Sequence, residues 1–538
     1  MIFSPTSVLS VGIRKAAKLH LTAACGETEE LRMKMIGRIS KKQKSPRTSA
    51  ELILVRAVLL AVMLSLLLSS CTVSPGSADG SSAPDTTAAV DPEGTAAGDV
   101  TTAPKPDIPE TLNYNNTELY VLLCKEQRKQ TLGSEDSDLV LADALATRLS
   151  RVQDTLGVTF NFVEEPGNWS NRASFISKVE TSVSGGSDYD LIIAYNLIPP
   201  TLAVRGLICD LNESQYTDFS NPWWPERLID IISIKDRVYF AVDNSSYGSI
   251  RNMACIMFRK DVADEYSLTP EGLYTTVLED GWTLDKMEEL IAGTYRDLNV
   301  NNTSDYGDRF GFSCVDKPRL DAFFHGSGLS IVSKNSDGSF SMTLGDEKVQ
   351  NVLERMNRLF DNENSYMADN QMYAMLEAGQ VLFYCTPVAI VDRKLDFEFG
   401  VLPIPKYNDE QQSYITYMSN THDAFCVTKG ARDPDMSAAV IEYLAYSAYI
   451  DVAPKYFEVM LKFKYSSDSS TGQIYDIIRR NAMFDFGYIF SESFRTNPIL
   501  LYRNAVIAGS KNWKVTYRAA KSTLEEDLAN IMEQMSGN

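Results

Sequence analysis

Tyr189-Asp-Leu-Ile-Ile-Ala194 is the stretch on which the fold turns. It is short and apolar at every position after Asp190, the character of a strand buried on both faces in a parallel sheet covered by helices. The two segments before it agree. Arg172 to Val183 reads as a helix, and Val158-Thr-Phe-Asn-Phe-Val163 alternates as a strand does. Further out, Leu139, Leu141, Leu145, Leu149 and Val152 stand at helical spacing and predict a helix over Ser137 to Thr155. Leu119-Tyr-Val-Leu-Leu-Cys124 is another short apolar run. Strand, helix, strand, helix, strand is the order that winds a parallel α/β sheet. Ligands of such sheets are read at the carboxyl ends of the strands, which puts Tyr195 and Asn196 where a ligand would lie.

The pattern restarts downstream. Val238-Tyr-Phe-Ala-Val242, Ala254-Cys-Ile-Met-Phe258, Val381-Leu-Phe-Tyr384 and Phe399-Gly-Val-Leu402 are strand candidates, with helices predicted over Leu284 to Thr294 and Lys348 to Asp361. From Met436 onward the pattern is mainly helical. Thr283 is placed to cap a helix start and Trp282 to pack on Met287, so that tryptophan is expected to be structural.

The first 113 residues differ from the rest. Residues 1–70 hold 11 Lys and Arg against 4 Glu, and residues 71–538 hold 40 against 67 Asp and Glu, a net −27. Basic residues up to Arg56 precede an apolar run, Ala57 to Leu68, that is the length of a signal-peptide core and too short to span a bilayer. It ends at Leu68-Ser69-Ser70-Cys71, which resembles a lipobox, in which the cysteine is lipidated and becomes the new N-terminus. A start at Met33 or Met35 would fit the usual length of such a leader. Residues 71–113 are mostly Ser, Thr, Ala, Gly, Pro and Asp and read as a disordered tether. A flexible chain of roughly 40 residues has a root-mean-square span of about 35 Å, enough to hold a body clear of a membrane. The length of 538 residues and the ordinary 44% hydrophobic content leave room for two domains beyond that tether.

From here the order of segments resembles the extracellular solute-binding proteins of ABC importers, the maltose-binding-like family. The resemblance is carried by Asp190 to Tyr195 followed by Gly206-Leu-Ile-Cys-Asp-Leu211, by Pro222-Trp-Trp-Pro225, by Asp236-Arg-Val-Tyr-Phe-Ala-Val242, by Met257-Phe-Arg-Lys-Asp261, by Asp280-Gly-Trp-Thr283 and by Gly400-Val-Leu-Pro-Ile-Pro405. Asp236-Arg237 and Asp243 depart from the family pattern at a crossing segment, and Arg259 stands where it has Asn. The resemblance implies an α/β protein with the two-lobed periplasmic-binding-protein-like fold and a hinge between lobes. By it, one lobe takes 114–243 with 421–465 and the other 244–420 with 466–538. It implies capture of a small solute, more readily a sugar than another class, delivery to ABC permease subunits, and a monomer at the outer face of the membrane.

A sugar presents C–H faces and hydroxyl edges, so its site needs aromatic plates beside paired polar groups. Trp223 and Trp224 are the first candidates as plates. Tyr195 and Asn196 follow from the strand end, Asp243, Ser246 and Tyr247 from the crossing strand, Tyr417 and Asn420 from the next crossing, and Tyr384 from its likeness to the family's aromatic strand end. No cofactor is required, and calcium is the one candidate metal. Asp297-Leu-Asn-Val-Asn-Asn-Thr-Ser-Asp-Tyr-Gly-Asp308 has oxygen side chains at the spacing of a calcium loop, with Asp297, Asn299, Asn301 and Asp308 as ligands. Asn302 replaces the expected glycine and Asp308 the expected glutamate, so an Asn/Asp-rich turn is the plainer reading.

The acidic balance argues against a nucleic-acid role. Nucleophile-elbow, zinc-protease and phosphate-loop motifs are missing, and only His325 and His422 lie beyond the leader. A lipid-anchored glycan hydrolase or lyase stays open, because the many carboxylates could supply its acid–base pair, as does a peptide-binding protein on the same scaffold. The six cysteines beyond Cys71 sit in apolar runs and read as buried thiols.

Overall fold

Alternation along the first strands decides which core each side chain joins. In β1 (Thr117–Cys124), Leu119, Val121 and Leu123 enter one apolar cluster while Leu122 and Cys124 enter the other. After β2 (Val158–Glu165), β3 (Leu191–Tyr195) divides the same way, Leu191 and Ile193 against Ile192 and Ala194. A strand covered on both faces needs this continuous apolar run, and the period of two sorts it. The computed structural model describes residues 104–537 apart from 135–136, 187, 244–245, 315–316, 368–370, 394 and 465–468. The leader and Cys71 lie outside the described residues.

Two sheets organise the described chain. After β3 come β4 (Ala254–Arg259), β5 (Phe310–Cys314), the small pair β6 (Val332–Lys334) and β7 (Phe340–Met342), β8 (Ser365–Tyr366), β9 (Val381–Pro387), β10 (Phe399–Leu402) and β11 (Asp423–Val427). The first sheet has the order β11-β3-β1-β2, with β1 parallel to both its neighbours and β11 antiparallel to β3. The second has the order β10-β4-β9-β5-β8. β11 thus belongs with β1 to β3 although all of the second sheet intervenes in sequence.

The chain passes between the sheets on extended segments. Residues 238–242, expected as a strand, form instead one isolated bridge, at Ala241, which exchanges hydrogen bonds with Phe425 of β11. Residues 416–421 lead back from the second sheet into β11. A third passage follows the helix Pro434–Ser447, which continues in wide π-helical turns over Ala448–Val452 and Pro454–Lys464 before the helix Ser469–Arg480.

The helices expected at Ser137, Arg172, Leu284 and Lys348 form as Leu139–Leu156, Arg172–Gly185, Leu284–Ile291 and Glu347–Phe360. Thr283 Oγ1 accepts the Lys286 N–H at 3.2 Å, and the buried Trp282 donates its indole N–H to the Pro403 carbonyl at 2.8 Å. Packing starts before residue 114, where composition placed the start of the body: Ile108 is buried in the cluster around Trp223 and Leu156. Cys124, Cys209, Cys255, Cys314, Cys385 and Cys426 are free thiols, all buried except the half-buried Cys209. No helix among the described residues is long and apolar enough to cross a membrane.

Candidate ligand-binding cleft

Where the passage 416–421 runs between the sheets, side chains from both sides enclose a cavity of ≈420 Å³. Trp169, just past β2, and Leu197, just past β3, come from the first-sheet side. Tyr488 comes from the helix Phe486–Ile489, and Leu500 and Arg503 from the helix Pro498–Ile507. Tyr417, Ser419, Asn420 and Thr421 come from the passage itself.

Asn420 ties the enclosure together. Its side-chain oxygen accepts the Asn196 amide at 3.2 Å, its amide donates to the Tyr488 carbonyl at 3.1 Å, and its backbone N–H donates to the Tyr488 hydroxyl at 3.3 Å. The hydroxyls of Tyr417 and Tyr488 share a 2.5 Å hydrogen bond. His325 stacks on Tyr417 with centroids 5.5 Å apart, and burial pulls its pKa down to about 4, so the ring is neutral at pH 7. Arg503 pairs with the buried Asp321. Burial opposes its charge, but the Asp321 carboxylate wins and holds the guanidinium pKa above its ordinary value. Trp169 is 46% exposed, and the Arg172 guanidinium lies 3.9 Å from its ring centroid. Arg172 also reaches across to Glu492 at 2.6 Å, and Glu492 accepts the Asn497 amide at 2.9 Å. Three aromatic rings, two amides and one guanidinium therefore border one space, the mix of flat apolar faces and directional polar groups that orients a small polar ligand.

Of the ten expected ligand residues, Tyr417 and Asn420 line this cavity. Asn196 lies behind Asn420, and Tyr195 is half-buried at the end of β3, where burial pushes its phenol up to about 12. The others are placed elsewhere. Trp223 and Trp224 are not cleft plates: both are buried in the core under the first sheet, and each donates its indole N–H to Glu442, at 2.9 and 3.0 Å. Adjacent tryptophans can share one core because one carboxylate serves both. Asp243 is buried and paired with Arg148, Ser246 caps the helix Tyr247–Arg251, and Tyr247 donates to Asp392 while packing edge-on against Tyr456. Tyr384 is buried within β9. These six positions are structural for the same reason: each side chain is turned into packed protein rather than into the cavity.

The oxygen-rich loop closes on itself. Asp297 accepts from the N–H groups of Asn301 and Asn302, Asn299 donates to Asp305 and accepts from Asn301, and Asn301 accepts from Thr303. Asp308 is buried, with one oxygen accepting from Leu298 and the other from Tyr295 and Asp305. These are the bonds of an Asn/Asp turn. They engage the expected ligands, and among the described residues no cluster of three His, Cys, Asp or Glu is placed to hold a metal.

Trp169, Tyr488, Asn497 and Arg503 were not singled out from sequence. The strand-end argument that placed Asn196 applies equally to β2 and leads to Gly167-Asn-Trp169. Tyr488, Asn497 and Arg503 lie in a helical region with no such landmark.

No family model and no curated protein matches the chain. Solved structures do. One is an extracellular solute-binding protein from Staphylococcus aureus in complex with maltose, at 11% identity and a TM-score of 0.53 over 79% of this chain and 99% of that one. Another is a cyclic α-maltosyl-1,6-maltose binding protein from Arthrobacter globiformis, at 16% identity and a TM-score of 0.50 over 78% and 98%. At this identity the likeness speaks for the fold, which is the two-lobed α/β fold of the extracellular solute-binding proteins.

Proposed function

We propose that this protein is the capture component of an ABC-type importer: it is lipid-anchored outside the cell, binds an oligosaccharide in the cleft between its lobes, and passes it unaltered to a permease. The observation that carries this reading is the cavity bordered by Trp169, Tyr417 and Tyr488 with the amides of Asn420 and Asn497. Rings pack on the C–H faces of a sugar, and amides donate and accept toward its hydroxyls. The two solved structures with the same fold carry maltose in one case and are named for a cyclic maltosyl sugar in the other, which supports the same class. The described lining contains no Asp or Glu. A glycosidase needs two carboxylates flanking the bond, so recovery of the sugar intact or shortened separates binder from enzyme. Closure follows if the ligand touches both lobes, because contacts made only in the closed state shift the equilibrium.

Calorimetric titration against di- and oligosaccharides, amino acids and short peptides tests this reading, with the sugars recovered and sized afterwards. A saturable heat with an intact malto-type or related oligosaccharide is expected. Heat with peptides alone would overturn the sugar class, and shortened products would make the protein an enzyme.

The anchor rests on the basic flank, the apolar run and Leu68-Ser-Ser-Cys71. Cys71→Ala should leave the protein unprocessed or shift it from the membrane to the soluble fraction. Mass spectrometry that finds the wild-type N-terminus unmodified and elsewhere would contradict it.

A further inference from the structure

Successive residues of an extended segment face opposite sides, and the passage 416–421 uses both. Tyr417 and Ser419 line the cleft, whereas Met418 borders a different concavity of ≈160 Å³, floored with Met253 and lined by Arg227, Arg479 and Arg480. The three arginines come from two helices, Glu226–Ile232 on the first-sheet side and Ser469–Arg480, which packs on β10 of the second sheet.

These cations lack the partners that arginines usually find. Among the described residues, Arg227 makes no hydrogen bond or ion pair. Arg480 donates only to the Asp476 carbonyl at 3.3 Å, and Arg479 lies over the Phe457 ring at 4.8 Å with no carboxylate within bonding reach. Burial lowers the Arg479 pKa against the opposing charges of Glu458 and Asp476, both of which pair with Lys462. Glu226 is the one carboxylate of the lining. Of the three, Arg479 is half-buried and unpaired, which is costly for a guanidinium, while Arg227 and Arg480 are exposed, and three cations bordering one hollow on a chain of net charge −20 run against the general balance.

We infer that this hollow, on the opposite side of the passage from the cleft, binds a small divalent oxyanion of the phosphate or sulfate kind between Arg227 and Arg479. Guanidinium forks match the edges of such an anion and form charge-assisted pairs with it. The volume suits a compact group and is smaller than the cleft cavity.

The test is titration of the full-length protein with sodium phosphate and sodium sulfate in low-salt buffer at pH 7, against sodium chloride at matched ionic strength. Phosphate or sulfate should bind saturably and raise the melting temperature more than chloride does. Arg227→Gln, at an exposed position, should keep the ligand-free melting curve and weaken anion binding at least tenfold, and Arg479→Gln should do the same if it folds. Trp169→Ala should leave anion binding unchanged. The inference is overturned if neither anion exceeds chloride, if Arg227→Gln binds within twofold of wild type, or if Trp169→Ala abolishes the binding.

Discussion

Glu442→Ala is expected to lower the unfolding free energy by about 2–5 kcal/mol, since it strands buried donors that have no other acceptor. Glu442 is 1% exposed in the helix Pro434–Ser447 and accepts from the indoles of Trp223 and Trp224, the Asn221 amide at 3.0 Å and the Asp218 N–H at 3.4 Å. Asn221 and Asp218 can turn to water, but the two indoles cannot. Burial pushes the Glu442 carboxyl up to about 7 from 4.5, against the four donors that favour its charge. The folded state therefore holds a proton there that the unfolded state releases between those two values. The stability linked to this group is fully present below pH 4.5 and is lost as pH rises through about 7. Asp485, raised by burial to about 6, contributes with the same sign, so the Glu442 part is the difference between wild type and Glu442→Gln. Urea unfolding at pH 5 and pH 7.5 measures it: the wild type should lose more stability than the Gln variant on going to the higher pH. Equal losses would mean the carboxyl stays ionised throughout.

Trp169→Ala is expected to weaken oligosaccharide binding ten- to a hundredfold, about 1–3 kcal/mol, with little change in melting temperature. The position separates the two effects because the ring is 46% exposed and its loss opens no core. Trp223→Ala should do the reverse, destabilising the protein while leaving the affinity of the folded fraction near wild type. Tyr488→Phe probes the polar side of the site, since it breaks the links to Tyr417 and to the Asn420 N–H but keeps the ring. Calorimetry with the tightest-binding sugar, beside thermal melts, reads all three. If Trp223→Ala lost binding and Trp169→Ala kept it, the site would have been placed on the wrong tryptophan.

The strands were legible because their cause is local. Leu119 to Cys124 and Leu191 to Ala194 are apolar at nearly every position, and that composition suits little except a strand covered on both faces. Thr283 could be read as a cap because its partner lies three residues away. The tryptophan pair could not be read this way. What removes it from the cleft is Glu442, more than 200 residues along the chain, and no local pattern marks a carboxylate that will accept from two indoles. The same limit hid Arg148 behind Asp243 and Asp392 behind Tyr247. Asn196 was found through its strand end and Tyr417 and Asn420 through the crossing. Tyr488 and Arg503 reach the cavity only because the C-terminal helices fold back onto that passage.

The most direct test is a crystal structure of the protein with the oligosaccharide that binds it most tightly. The account predicts sugar density between Trp169, Tyr417 and Tyr488, with a hydroxyl within hydrogen-bond distance of Asn420 or Asn497 and every glycosidic bond intact. Sugar bound anywhere else on the body, with this cavity empty, would contradict it.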